Sequence, residues 1–442
     1  MKFVTLGLAG LCMCALLMAV PAGAQAEQPS APAQAQTAQV PQSENGDVYQ
    51  LPPDKLQKAI VLGRIRTALD IGGSLWGLLV LWLILRLRFA AKLAAWSESK
   101  LKRRWMQGLL FFAMLLLILT ALGWPLDATG HAVSVHFGIS VQSWPSWMVD
   151  QLKALGLTVV FGSLVLLLFN WVVRKSPKRY WLWLWVVTLP LLVLSIFVEP
   201  LLEPMFNKFE PLSAHHEELV QKLEEVVQRT GTNIPPDRMF LMKASEKTNG
   251  LNAYVSGIGA TKRIVVWDTT AGRVPDDVVM FVFGHESGHY VLHHIPKMLA
   301  ISSITLFFAY WICAWAAERL IRRNGACWGM TAVSERAGFV VLLFTLSVLG
   351  FATQPVSNAI SRYFEHQADV YGQEAIHGLV PDPQATAVRG FNALGAAWLE
   401  DPNPGKLVEI WEYNHPTVQE RAKFAAHYDP WKDGGHREFF KK

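Results

Sequence analysis

Val282-Phe283-Gly284-His285-Glu286-Ser287-Gly288-His289-Tyr290-Val291-Leu292-His293 sets H-E-x-x-H inside an apolar, helix-patterned stretch. Residues four apart share a helical face, so His285 and His289 can each turn an imidazole nitrogen toward one cation. Glu286 lies one step around the same helix, within reach of a water held there. Zinc lowers the pKa of bound water to ~7, and a carboxylate so placed can take its proton. The competing reading is a helix with two ordinary surface histidines.

A hydrolytic metal site needs a third protein ligand and an open fourth position. Asn358-Ala359-Ile360-Ser361-Arg362-Tyr363-Phe364-Glu365-His366-Gln367-Ala368-Asp369 offers one, because Glu365 and Asp369 are again four apart on one helical face. Glu365 can ligate while Asp369 accepts the free N–H of a ligating histidine. Read alone, these two acids fit a solvated helix face paired with Arg362 better.

The rest of the chain sets the context. It has 442 residues, 52% hydrophobic and only 17% charged, against about 25% charged in ordinary soluble domains. This excludes a disordered chain and points to a membrane protein. The 18 Trp agree, since Trp favours the membrane–water interface. No basic tract with interleaved aromatics is present, so no nucleic-acid partner is expected. Cys12, Cys14, Cys313 and Cys327 show no metal or redox spacing and read as small apolar fillers.

Residues 1–24 carry Lys2, an apolar run and the small residues Ala22 and Ala24, the pattern of a signal peptide; an uncleaved first transmembrane helix is the alternative. Residues 25–69 read as a disordered tether, rich in Ala, Gln, Pro and Ser, with an amphipathic lead-in. Four apolar runs follow in an N-terminal membrane domain, 70–200: Ile71–Leu87, Met106–Trp124, Leu152–Val173 and Trp181–Val198. The remainder, 201–442, is expected to form one metalloprotease domain from two polar stretches. It includes two further transmembrane helices at 298–317 and 338–356.

Lys and Arg crowd three loops, around Arg86–Arg104, Arg174–Arg179 and Arg319–Arg336, whereas Pro125–Asp150 has none. The positive-inside rule makes those three loops cytoplasmic and puts both polar stretches outside, in a bacterium the periplasm. The predicted outer segments lack Cys, in keeping with an oxidising compartment.

G-H-E-S-G-H-Y-V-L-H (284–293) together with S-R-Y-F-E-H-Q-A-D (361–369) resembles the membrane-embedded gluzincin proteases of the CAAX prenyl protease type 1 group and their bacterial relatives. Thr248–Tyr254, Lys262–Thr270 and His415–Arg421 resemble the same group, so the likeness covers nearly all of the chain after the tether. The resemblance implies a mainly α, multi-pass helical membrane protein of six or seven spans, with a zincin-type domain containing a small β element. It implies one Zn²⁺ per chain held by His285, His289 and Glu365, with Glu286 as general base and then proton donor to the leaving amine. Asp369 would stand behind a ligating histidine, and His415 would donate to the tetrahedral oxyanion. Asn252 would belong to an edge strand that pairs with extended substrate. From the residues alone, His415 is an ordinary helix-start histidine before Pro416, and Asn252 an Asn beside Gly250 in a turn. His293 matches a position of the group, but no role follows from its chemistry. His131, His136, His215 and His216 are expected to have no ligand role.

The expected function is therefore an integral-membrane zinc metalloendopeptidase acting on peptide or protein substrates at the bilayer. Members of the group that act on prenylated C-terminal motifs face the cytoplasm with their catalytic side. The charge bias places this one outside, so processing or quality control of membrane or exported proteins is the expected task. The alternatives are CAAX-type C-terminal processing and a non-catalytic membrane scaffold with a retained zinc site. A transporter is disfavoured, since no internal repeat is apparent.

Overall fold

The computed structural model describes residues 48–49, 51–257, 259–432 and 435–440. The leader (1–24) and residues 25–47 of the tether lie outside the described residues.

The chain begins with α1 (Pro53–Arg86), a short α2 (Phe89–Lys100) and α3 (Arg104–His136). Next come α4 (Trp144–Leu157) and α5 (Ser163–Lys175), joined by a π-helical turn at Thr158–Gly162, and then α6 (Tyr180–Leu202). A polar section holds β1 (Phe209–Pro211), α7 (Glu217–Thr230), β2 (Met239–Met242), β3 (Ala253–Ser256), β4 (Arg263–Trp267), the one-turn α8 (Asp268–Ala271) and α9 (Asp276–Val291). Two long helices follow, α10 (His294–Trp328) and α11 (Arg336–Ile376), then α12 (Pro383–Trp398), α13 (Lys406–Glu412) and α14 (Val418–His427).

Among the described residues, six helices are long and apolar enough to cross a membrane, and they contain the six apolar runs of the sequence. The apolar windows of these helices are only 22–44% buried. Large apolar side chains such as Trp82, Trp171, Trp311 and Trp315 therefore face outward, as lipid requires and water would penalise. Inside, Phe112 meets Phe339 edge-to-face at 5.5 Å, within a core built from α1–α3, α5, α6, α10 and α11. A second core fills the polar half, where Val279, Phe281 and Phe283 of α9 pack with Leu223 and Val226 of α7, Phe391 of α12 and Ala422 and Ala425 of α14. The four strands run in the order β1-β2-β4-β3, with β2 and β4 parallel and the other pairs antiparallel. β3 is an edge strand.

Three elements extend past the boundaries expected from hydropathy. The lead-in is not separate from the first span: α1 starts at Pro53, and proline suits the first helical turn because its missing N–H has no partner there anyway. α3 runs through Pro125 to His136, converting half of the expected outer loop into helix. α11 continues 20 residues beyond Val356 to Ile376, so a single helix both crosses the bilayer and carries Glu365 and Asp369.

α9 and α11 touch backbone to backbone. A Cβ placed on Gly372 falls 2.7 Å from the His285 nitrogen, and one on Gly284 falls 3.1 Å from the Gly372 carbonyl oxygen. Gly288 likewise faces the Tyr371 side chain, at 3.0 Å. Main chain has nowhere to move at such separations, so Gly372→Ala should destabilise the polar half by about 1–3 kcal/mol. Thermal unfolding of the detergent-solubilised protein checks this; an unchanged Tm would mean that the two helices tolerate separation.

Candidate metal centre

α9 presents His285 and His289 one turn apart, and α11 presents Glu365 across the glycine contact. The nitrogen and oxygen atoms of these three residues all lie within 4.8 Å of one another. His285 Nε2 is 3.2 Å from His289 Nε2 and 3.3 Å from Glu365 Oε2, and His289 Nε2 is 3.6 Å from Glu365 Oε1. Ligands about 2.0–2.1 Å from a tetrahedral metal stand about 3.3 Å apart, so the triangle has the right edge. Glu365 Oε2 is buried and makes no well-formed hydrogen bond, although two imidazoles flank it.

Electrostatics tell the same story. Burial opposes a charge on His285, yet Asp369 and Glu365 push its pKa up to about 10, which expresses a demand for positive charge between the carboxylates. Burial and the neighbouring His285 push His289 down to about 3, leaving a neutral imidazole, the form that binds a metal. The three residues therefore fit a metal ion.

Asp369, buried at 2% exposure, accepts from His285 Nδ1 at 2.8 Å. Arg421 of α14 grips the same carboxylate with two bonds, Nε to Oδ2 at 2.9 Å and Nη2 to Oδ1 at 2.6 Å. The Arg421 guanidinium stacks 4.5 Å from the Phe391 ring. This fixes the carboxylate, which fixes the ring with Nδ1 on Asp369, so that Nε2 is the nitrogen turned toward His289 and Glu365.

His289 is held differently. Its Nδ1 lies 3.0 Å from Nδ1 of His294, the first residue of α10. His294 Nε2 lies 3.2 Å from Gln367 Oε1, and Gln367 Nε2 donates to the Tyr363 hydroxyl at 3.3 Å. An amide oxygen only accepts, so His294 carries its proton on Nε2 and accepts the His289 Nδ1–H on Nδ1. Sequence reading took up His293 and passed over its neighbour. The available signal was a third histidine, His294, only five residues after His289 and at the start of the next helix.

Glu286 points into a cleft of about 520 Å³ that is also lined by His285, Asn252 and His415. Burial pushes its carboxyl up and Glu365 adds to this, while His285, a hydrogen bond from the Val255 backbone and His415 oppose it. His415 Nε2 stands 3.2 Å from Glu365 Oε2, and its Nδ1 is 2.8 Å from Asn414 Oδ1. Asn252 immediately precedes β3. Its backbone N–H and carbonyl are both tied to the Thr270 hydroxyl at 2.8 Å. The structure thus brings His285, Glu286, His289, Glu365 and Asp369 together, with His415 beside them and Asn252 in the same cleft. His131, His136, His215 and His216 lie elsewhere. Arg66, in the stretch read as tether and lead-in, and Asp70, at the start of the expected membrane domain, also line the cleft from α1.

The chain is similar to known proteins along most of its length. The model of peptidase family M48 matches residues 213–429. The model described as CAAX prenyl protease N-terminal, five membrane helices, matches residues 33–208. The uncharacterized metalloprotease YhfN of Bacillus subtilis is 36% identical over 335 residues, 76% of this chain and 76% of that one. CAAX prenyl protease 1 of Saccharomyces cerevisiae is 28% identical over 331 residues, 71% of each chain. Among solved structures, S. mikatae Ste24p shares the fold, with a TM-score of 0.72 at 24% identity, covering 84% of this chain and 88% of that one.

His294→Ala should weaken metal binding about 10- to 100-fold, read by competition with a chromophoric chelator. Unchanged affinity would show that His289 needs no support from His294.

Proposed function

The chain belongs to peptidase family M48 and is an integral-membrane metalloprotease, and from that premise we propose that it is a zinc metalloendopeptidase of the bacterial inner membrane with its catalytic half in the periplasm. One Zn²⁺ is held by His285, His289 and Glu365. The observation that carries this reading is the tetrahedral edge made by those three residues, beside a carboxylate that faces the same cleft. Zinc supplies Lewis acidity toward a water and toward the scissile carbonyl.

Glu286 takes the proton of the attacking water and passes it to the leaving amine. Its raised pKa suits both halves of that transfer. His415 donates to the oxyanion. Asp369, clamped by Arg421, keeps His285 in the tautomer whose Nε2 is free. The edge strand β3, led by Asn252, pairs with extended substrate backbone and so reads conformation rather than sequence. The periplasmic placement is supported by the basic loops, which lie at the end of the bundle remote from the metal centre. On that side the substrates are membrane or exported proteins, in processing or quality control. A second reading, CAAX-type C-terminal processing, is favoured by relatives named CAAX prenyl protease 1. A scaffold role is disfavoured by the retained Glu286.

The test is cleavage of an unfolded model protein by purified solubilised enzyme, with a farnesylated C-terminal peptide as a parallel substrate. Glu286→Ala should keep its zinc and lose at least about 10²-fold in rate, and His415→Ala should lower kcat about 10²-fold with little change in KM. Zinc-loaded native protein that cuts neither substrate would sink the protease reading, whereas cleavage of the farnesylated peptide alone would select the second one.

A further inference from the structure

At the opposite end of the bundle from the metal centre, α2, α3, α5 and α11 surround a pocket of about 640 Å³. Its charged lining is Lys102, Arg104, Arg174 and Arg336 against Glu98 and Glu335, a net excess of two positive charges. Both acids are engaged. Glu98 is ion-paired with Arg336. Glu335 accepts from the backbone N–H groups of Thr331 at 2.8 Å and Ala332 at 3.1 Å. Arg336 is 8% exposed; Nη2 donates to the Arg104 carbonyl at 3.0 Å and to Gln107 Oε1 at 2.9 Å. Its Nε is buried with no hydrogen-bond partner. Arg174 acts on it as a like charge. Arg104 and Arg174 are exposed.

A second observation is independent of these side chains. The N-termini of α3 and α11, helices of 33 and 41 residues, both open onto this pocket. Neither has a side-chain cap or an acid in its first turn; the N-cap residue of α11 is Glu335, whose carboxylate is turned back onto Thr331 and Ala332. The positive ends of two helix dipoles therefore meet the exposed guanidinium groups of Arg104 and Arg174. Such a site is complete only with an anion that offers several acceptor oxygens, and a phosphate ester does so.

We propose that this pocket binds the phosphate headgroup of an anionic phospholipid, seated between the basic ends of α2, α3, α5 and α11. A lipid rather than a soluble phosphate is favoured by position. The pocket lies where membrane-crossing helices end, and its apolar floor at Ala91 and Ala94 can receive the glycerol portion. Basic pockets between transmembrane helices hold lipid headgroups by this logic.

The test is native mass spectrometry of the delipidated full chain in detergent, titrated with phosphatidylglycerol or phosphatidylcholine. Stoichiometric retention of phosphatidylglycerol over phosphatidylcholine is expected. Arg104→Ala with Arg174→Ala should weaken it about ten- to thirtyfold, with thermal unfolding of the variant confirming that it is folded. Lys175→Ala with Lys178→Ala, at the same basic end but outside the pocket, should leave retention unchanged. Equal retention of the two lipids, or an equal loss in both double variants, would overturn the proposal, reducing it to diffuse attraction by the basic end. Displacement of the lipid by equimolar inorganic phosphate would also overturn it, assigning the pocket to a soluble anion.

Discussion

The close approach of α9 to α11 is the constraint on which the metal-binding half depends. His285 and His289 belong to one helix, Glu365 and Asp369 to the other, and side chains this short meet only if the main chains nearly touch. Gly284, Gly288 and Gly372 make that possible. Close packing also removes water from around the carboxylates, which is why neighbouring charges act so strongly on the histidines. The separation of two backbones thus sets both the distances and the electrostatics of the site.

The two ligand histidines are steadied by different chemistry. Behind His285 stands an anion, Asp369, whose charge is balanced by Arg421. Behind His289 stands a neutral chain of imidazole, amide and phenol. A second carboxylate there would add negative charge to a cluster that already contains Glu286, Glu365 and Asp369. The neutral chain fixes the tautomer without that cost. It also ties the start of α10 to α11, so the membrane helix entering the bilayer is attached to the metal centre at its first residue.

How much of this was legible in the sequence depended on whether the signal was local. H-E-x-x-H and E-x-x-x-D are helical faces written in four-residue steps, and the apolar runs are long enough to be read singly. The glycines were visible too, but their purpose was not, since close approach is a property of two segments, Gly284 and Gly372 lying 88 residues apart. Arg421 lay inside a quoted stretch without a role, because only the fold brings α14 to Asp369. Hydropathy also hid continuity: α11 changes from apolar to polar partway along without ceasing to be a helix, as does α1 in the other direction. Composition marks the bilayer boundary and says nothing about where a helix stops. For the same reason Arg66 and Asp70 gave no hint that they would line the cleft.

The length of α11 relates the membrane to the metal centre. From Arg336 to Glu365 are 29 helical steps, about 44 Å at 1.5 Å per residue. A tilt of about 20° leaves about 41 Å along the membrane normal, against a hydrocarbon thickness of about 30 Å. With Arg336 inside one headgroup layer, about 5 Å outside the hydrocarbon, Glu365 then stands about 6 Å beyond its far edge. That depth is the headgroup region, where water is present for hydrolysis but a membrane-anchored segment needs only a short extended stretch to reach the cleft. The lining of the cleft by α1, itself a membrane helix, fits the same geometry. A soluble substrate must descend into this layer, while a membrane protein's juxtamembrane segment is already there. Helix length by itself therefore weights the proposed substrate class toward membrane-attached chains, whichever side of the bilayer the centre faces.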